Sequence, residues 1–255
     1  MIVINIPEDK KLYFASDQHL GAPTPKASFM REKKFVNWLN AIKKDASGIF
    51  LLGDLFDFWF EYKTVVPKGF VRVLGKLAEL TDNGIPVYFF VGNHDLWMKD
   101  YFKKELGVMV FHKPQVFKLN NTICFIGHGD GLGPNDKWYK RMKKVFTFPL
   151  FQCMFSWLHP DLGLALGQHL SVKNKLTSAA KDSGFLGEDK EWLVQYCKRK
   201  LKTAHYNYFV FGHRHLPLNI KLSESSNYIN LGDWISYFSY GVFQKDSFQI
   251  KTYSN

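Results

Sequence analysis

Residues 86–95 read Pro86-Val87-Tyr88-Phe89-Phe90-Val91-Gly92-Asn93-His94-Asp95. A short run of apolar and aromatic residues stops at a glycine, and three side chains able to handle metals or protons follow. The run has the length of a strand and is apolar on both faces, as a strand buried within a sheet must be. Polar groups just beyond the carboxyl end of such a strand lie where α/β proteins gather their ligands.

The same arrangement recurs on either side. Lys11–Ser16 runs into Asp17-Gln18-His19, and Gly48–Leu52 into Gly53-Asp54. Thr122–Ile126 runs into Gly127-His128-Gly129-Asp130, and Tyr208–Phe211 into Gly212-His213-Arg214-His215. A further strand is expected at Tyr228–Leu231. Helical stretches lie between, at Ser28–Lys43 and at Gly69–Asp82, the second closed by Asn83-Gly84. On the first, Phe29, Phe35, Val36, Leu39 and Ile42 are expected to form the apolar face. Short strands alternating with helices, without an internal repeat, predict an α/β layered fold.

Five ligand-type clusters at strand ends can converge on one point. Together they offer Asp17, His19, Asp54, Asn93, His128, His213 and His215. Carboxylate and amide oxygens mixed with imidazoles suit Mn²⁺, Fe²⁺ or Zn²⁺. Seven donors are too many for one ion, but they suit two ions that share a bridging carboxylate. Ions about 3.5–4 Å apart can clamp an attacking oxygen and a phosphoryl oxygen together. Each motif alone is common by chance; their order and shared position at strand ends carry the reading.

At 255 residues with 46% hydrophobic side chains, the chain can bury a large core without staples. Cys124, Cys153 and Cys197 are too few and too scattered for a disulfide framework, which fits a reducing compartment. The opening MIVINIPEDKK is not expected to be a signal peptide, and no apolar run is long enough to span a membrane. The net charge of +11 favours an anionic partner. The stretch of about 132–207 holds thirteen Lys/Arg against six Asp/Glu, so it supplies +7 of that charge. It is too long for a loop and is expected to be a helical insertion beside the site. Within it, a helix capped by Asn135 and starting at Asp136 would set Trp138, Met142, Val145 and Phe146 on one face. Lys137, Lys140, Arg141, Lys143 and Lys144 crowd the rest, and an aromatic stretch follows Pro149. A basic amphipathic helix beside aromatics is what a peripheral membrane enzyme uses. Phe148, Phe151, Phe155 and Trp157 are expected to line a greasy channel between this cap and the sheets.

The clusters resemble the signature of the calcineurin-like metallophosphoesterases, which runs D-x-H, GDxxD, GNH[DE], GH, GHxH. Here it reads Asp17-Gln18-His19, Gly53-Asp54-Leu55-Phe56-Asp57, Gly92-Asn93-His94-Asp95, Gly127-His128 and Gly212-His213-Arg214-His215. The resemblance covers nearly the whole chain. It implies a four-layered αββα sandwich over residues 1–255, a single domain with the cap inserted. It also implies two divalent ions, Mn²⁺ foremost with Fe²⁺ or Zn²⁺ as alternatives. Asp17, His19 and His215 would hold one, Asn93, His128 and His213 the other, with Asp54 between them. His94 would meet the phosphate or leaving oxygen, and Asp95 would orient His94. For Asp57 a helix cap or structural hydrogen bond is expected.

Within that superfamily the chain is similar to the UDP-2,3-diacylglucosamine hydrolases, the pyrophosphatases of lipid A biosynthesis. The similarity lies in the spacing from His128 to Asp136 and Tyr139, in the lysine-rich stretch near Ser171, Lys173, Asn174 and Lys175, and in Leu231-Gly232-Asp233-Trp234. It implies substrate contacts from Asp136, Tyr139, Ser171, Lys173, Asn174, Lys175 and Lys181. It also implies a lipid-linked nucleotide sugar as substrate, and a cytoplasmic protein attached peripherally to the anionic inner-membrane surface. One departure is that the best-known members carry Arg after the Asn of the third motif, where this chain has His94. A nuclease of the same superfamily is the competing enzyme reading. The positive residues cluster with aromatics in one cap rather than along a groove, and no DNA-binding module is recognisable. A metal-free scaffold would have lost ligands that are all present here.

Overall fold

The computed structural model describes residues 1–133, 137–179 and 184–254, the side chains of 137, 138, 170 and 172–179 excepted. The elements run β1 (Ile2–Ile4), β2 (Lys11–Ala15), α1 (Pro25–Ile42), β3 (Ala46–Leu51), α2 (Val71–Asp82), β4 (Val87–Phe90), α3 (Tyr101–Leu106), β5 (Met109–Phe111), β6 (Gln115–Leu119) and β7 (Thr122–Ile126). After them come α4 (Lys137–Phe146), α5 (Pro149–Ser156), α6 (Pro160–Ala179), α7 (Trp192–Leu201), β8 (Tyr208–Phe211), β9 (Pro217–Ser223), β10 (Ser226–Leu231), β11 (Ser239–Gln244) and β12 (Ser247–Thr252).

The strands form two six-stranded mixed sheets, ordered β12-β11-β2-β3-β4-β5 and β1-β6-β7-β8-β10-β9. Alternation along the central strands explains why they stack. Leu12 and Phe14 of β2, Phe50 of β3, and Tyr88 and Phe90 of β4 point to one face. There they meet Phe117, Cys124, Ile126, Val210, Ile229 and Leu231 from the other sheet. The intervening residues, Tyr13, Ala15, Ile49, Leu51, Val87 and Phe89, pack against Phe35, Trp38, Leu39, Val73 and Leu77 of α1 and α2. On the far side Phe125, Phe209, Phe211 and Tyr228 pack against Leu193, Val194 and Cys197 of α7. The order is therefore helices, sheet, sheet, helix, an α/β sandwich of four layers.

Two expectations change here. Phe29 is 41% exposed, and the buried line of α1 is Ser28, Arg31, Glu32, Phe35, Trp38, Leu39 and Ile42. Periodicity missed it because two of its members are charged and engaged. Glu32 Oε1 accepts from the Arg72 and Val73 amides at 3.0 and 3.1 Å, satisfying the start of α2. Arg31 Nη2 donates to the carbonyl of His19 at 2.7 Å and also to that of Ala22. The stretch of about 132–207 also divides: α4, α5 and α6 lie outside the layers, whereas α7 forms one of them.

Candidate metal centre

Asp17 and His19 follow β2, Asp54 follows β3, Asn93 follows β4, His128 follows β7, and His213 and His215 follow β8. Five of the seven take left-handed backbone: Asp17, His19, Asp54, His213 and His215 have φ of 58°, 45°, 54°, 67° and 54°. Side chains with a Cβ seldom adopt it, at a cost on the order of 1–3 kcal/mol each, and such residues concentrate at functional sites. The strand ends of both sheets hold the chain in place against that cost. Gly92 is needed for a different reason: a Cβ there would collide with the carboxylate of Asp54.

The donors form two groups. In the first, His19 Nε2 and His215 Nε2 are 3.2 Å apart. Asp17 Oδ1 is 3.3 Å from His215 Nε2 and 3.7 Å from His19 Nε2. Asp17 Oδ2 is already taken by Ser16 Oγ at 2.5 Å and the His213 amide at 2.9 Å. Oδ1, by contrast, is buried with no hydrogen-bond partner. The outer nitrogens face carboxylates, His215 Nδ1 towards Asp233 Oδ2 at 3.3 Å and His19 Nδ1 towards Asp57 Oδ1 at 3.5 Å. That leaves the two Nε2 lone pairs and an orphaned carboxylate oxygen facing one another, an arrangement a cation satisfies.

In the second group, His128 Nε2 lies 3.2 Å from Asn93 Oδ1, 3.2 Å from His213 Nδ1 and 3.3 Å from Asp54 Oδ2. His128 Nδ1 donates to the Leu52 carbonyl at 2.6 Å, so Nε2 again carries the inward lone pair. Donors about 2.1 Å from a shared ion sit about 3.0–3.5 Å from each other, which matches the closest spacings in both groups. Asp54 lies between them. Its Oδ1 accepts the His94 amide at 2.9 Å, and its Oδ2 faces His128 Nε2 and, at 3.7 Å, His19 Nε2. The residues present therefore fit two ions with one shared carboxylate.

The titration of the groups fits a site built for cations. Burial alone would raise the carboxyl of Asp54, yet His128, His94 and His19 hold it well below the usual range. Asp17 is likewise held low against its burial, chiefly by His215. Burial would depress His128, but Asp54 and then Asp17 and Asp130 lift it to about 10, so the Nε2 lone pair is offered to an ion that displaces the proton these carboxylates attract. Burial and the neighbouring His128 push His213 down to about 4.

His94 stands at the edge of the pair, with a ring nitrogen within 4.8 Å of donor atoms of His19 and Asp54. Its expected partner Asp95 is a correction. The Asp95 carboxylate accepts the Gly92 amide at 2.5 Å and the Leu55 amide at 3.1 Å, so it fixes the loops that carry Asp54 and Asn93. Burial, then Asp54, raises its carboxyl well above the usual range. His94 Nδ1 is instead 2.7 Å from the Asp57 carbonyl and 3.1 Å from Ser171 Oγ. Of the two roles expected of Asp57, the hydrogen bond is the one seen: its carboxylate accepts from Ser171 Oγ at 2.8 Å and faces His19 Nδ1 at 3.5 Å. Its place in Gly53-Asp54-Leu55-Phe56-Asp57 was the available signal. Asp233 behind His215 sits in Leu231-Gly232-Asp233-Trp234, a stretch noticed only for its resemblance. Nothing local in the sequence marks Ser16.

Among the described residues the cap meets this centre at two places. Tyr139 Oη and Lys143 Nζ of α4 reach Asp130 Oδ2 at 2.6 and 2.5 Å, two residues after His128. Lys143 is therefore turned inward, away from the basic face expected of it. Ser171 of α6 is the other contact. Asp136 and Lys181 lie outside the described residues, as do the side chains of Lys173, Asn174 and Lys175. The expected channel also changes. Phe155 packs against Phe58, Phe60 and Trp97, whereas Phe148, Phe151 and Trp157 are 52%, 46% and 86% exposed.

Residues 10–217 match the family model for calcineurin-like phosphoesterases. The chain belongs to that family, and with this donor set it is a metal-dependent phosphoesterase. It is 35% identical over 244 residues to a UDP-2,3-diacylglucosamine hydrolase of Porphyromonas gingivalis, covering 91% of this chain and 93% of that one. It is 26% identical over 224 residues to a UDP-2,3-diacylglucosamine hydrolase of Actinobacillus succinogenes, covering 88% and 92% of the two chains.

Proposed function

We propose that the protein hydrolyses the pyrophosphate of UDP-2,3-diacylglucosamine to 2,3-diacylglucosamine 1-phosphate and UMP, with two divalent ions, Mn²⁺ foremost, around Asp54. The observation that carries this is a double donor set with a shared carboxylate, touched directly by the helices of an insertion, in a chain whose relatives bear that name. On this reading the chain is one metallophosphoesterase domain with α4–α6 as its cap. When bound, the ions supply a hydroxide near neutral pH and polarise a phosphoryl oxygen. Asp17, His19 and His215 would hold one, Asn93, His128 and His213 the other. His94 Nδ1 donates to the Asp57 carbonyl, so it is the imidazolium form of the ring whose Nε2 donates to the developing charge on phosphate or on the leaving oxygen. Tyr139 and the polar residues Asp136, Lys173, Asn174, Lys175 and Lys181 are assigned to the substrate's sugar and phosphates. The test is UMP release from UDP-2,3-diacylglucosamine with Mn²⁺, set against cleavage of single-stranded DNA. We expect rapid UMP release, stopped by a chelator, and intact DNA. Faster cleavage of the DNA would replace this substrate with a nucleic acid.

We infer further that the protein attaches peripherally to the cytoplasmic face of the inner membrane, through anionic lipid. Helix α5 has no buried residue, and Trp157, Leu162 and Phe148 stand exposed close to Arg141 and Lys144 in the chain. Among the described residues no helix is long and apolar enough to cross a membrane. Each basic residue near an anionic surface contributes about 1 kcal/mol. Arg141→Gln with Lys144→Gln should therefore weaken binding to phosphatidylglycerol-containing vesicles by about tenfold or more at low salt, and flatten its salt dependence. Unchanged co-sedimentation would rule out attachment through α4.

A further inference from the structure

Helix α6 carries Gly163, Gly167 and Ser171 at four-residue spacing, so the three lie along one face. A Cβ on Gly167 would run into the ring of Phe58, and one on Gly163 into Tyr62 and Phe155. The helix backbone therefore rests directly on the segment that follows Asp54. One turn beyond Gly167, Ser171 reaches the residue before Phe58. Its Oγ is 2.8 Å from Asp57 Oδ2 and 3.1 Å from His94 Nδ1, and the residue is 7% exposed.

The chemistry of these atoms fixes the direction of each bond. A backbone carbonyl can only accept, so His94 Nδ1 carries the proton that lies 2.7 Å from the Asp57 oxygen. Ser171 Oγ then presents a lone pair to that same N–H and donates its own proton to the Asp57 carboxylate. The other carboxylate oxygen of Asp57 faces His19 Nδ1 at 3.5 Å. One hydroxyl from the cap thus touches both the residue behind His19 and the ring nitrogen that sets how His94 is turned.

We propose that Ser171 is a positioning residue for hydrolysis rather than chiefly a substrate contact. Through it α6 fixes the orientation of His94 and, by way of Asp57, supports His19. The reacting geometry is complete only with α6 seated on the site. This rests on the role given above to His94, and it is independent of which phosphoester is the natural substrate.

The experiment uses the full-length Mn²⁺-loaded protein and a small soluble diester, bis(p-nitrophenyl) phosphate, which has no sugar or acyl chain for the cap to hold. The variants are Ser171→Ala, Ser171→Thr, His94→Ala and the Ser171→Ala/His94→Ala pair. His94→Ala should lower kcat by about 10²–10³, the range for one preorganised donor. Ser171→Ala should lower kcat about tenfold, the scale of one buried hydrogen bond, with KM and metal content unchanged. Ser171→Thr, which keeps the hydroxyl, should restore most of the loss. In the His94→Ala background Ser171→Ala should cost much less than in the wild type, only the part carried through Asp57 to His19, since Ser171 and His94 act as a unit. Equal losses in both backgrounds would overturn the proposal. So would a Ser171→Ala variant with wild-type kcat on the diester and a raised KM on UDP-2,3-diacylglucosamine alone, the pattern of a plain substrate contact. If the wild type cleaves the diester but not UDP-2,3-diacylglucosamine, the substrate assignment falls while the Ser171 result stands.

Discussion

Asp54→Ala should bind neither ion at micromolar metal and should lose more than about 10³-fold in kcat on any phosphodiester. The expectation comes from how the carboxylate is held. Oδ1 is fixed by the His94 amide, which leaves Oδ2 facing His128 Nε2 at 3.3 Å and His19 Nε2 at 3.7 Å. Every other donor belongs to one group; Asp54 alone faces both. Removing it leaves four imidazoles, the Asn93 amide and one carboxylate to hold two dications, whose mutual repulsion is then poorly screened. Asp17→Ala should differ in kind, because Asp17 Oδ1 faces only His19 and His215. It should retain the ion held by His128 and His213. Metal analysis by mass spectrometry after gel filtration separates the two variants. Two equivalents bound by Asp54→Ala, with normal turnover, would exclude the bridge.

The parts of the centre that were legible in the sequence share a physical cause. A ligand placed just after a buried strand is announced twice, by the apolar run before it and by the glycine that lets two loops approach. Gly92-Asn93 and Gly212-His213 are read this way without any coordinates. Groups that hold the ligands are announced by neither. Ser16, Asp57, Asp233 and Ser171 act by where the fold puts them, and their neighbours in space are distant in the chain. Asp95 illustrates the error this invites. It adjoins His94 in sequence, yet its carboxylate serves the Gly92 and Leu55 amides, while His94 turns to residues 37 and 77 positions away. The fold shows the same division. Strands β2, β3, β4, β7, β8 and β10 were legible from their apolar runs, whereas β1, β5, β9 and β12 are short or partly polar edge strands, and β6 and β11, though inside the sheets, mix polar with apolar residues and were not expected. The buried face of α1 was misread because Arg31 and Glu32 are buried for hydrogen bonding, which hydrophobic periodicity cannot register.

The cap aromatics extend the lesson to energetics. Phe148, Phe151, Phe155 and Trp157 look equivalent in sequence, but of these four only Phe155 faces the body, packed among Phe58, Phe60 and Trp97. The surface it covers was already marked by Phe58 and Phe60. The others extend the exposed apolar surface of α5, which argues for a partner outside the chain rather than a lining within it.

Arg214→Met is expected to carry the largest loss of stability. Arg214 stands between two metal ligands in left-handed backbone, and its guanidinium forms a buried two-point pair with Glu191 at 3.1 and 3.2 Å. It also donates to the Gly184 carbonyl at 2.6 Å. The side chains of the pair are 4% and 1% exposed. Removing the cation leaves the buried Glu191 carboxylate without its counter-charge, and among the described residues the Leu186 amide at 3.3 Å is the hydrogen bond it keeps. Breaking a buried pair from one side costs about 3–5 kcal/mol, mostly the desolvation of the charge left behind. For a chain of this size that lowers Tm by about 10 °C. The measurement should be made in chelator, because metal bound to the folded state would add its own stabilisation and mask the comparison. Arg214→Met with Glu191→Leu removes both charges and should recover most of the loss, since an apolar pair of similar volume replaces an ionic one at little cost. A single variant melting within about 1 °C of wild type would mean that this pair contributes nothing net. A double variant as unstable as the single one would mean that Arg214 acts by shaping the His213–His215 loop, not by neutralising Glu191.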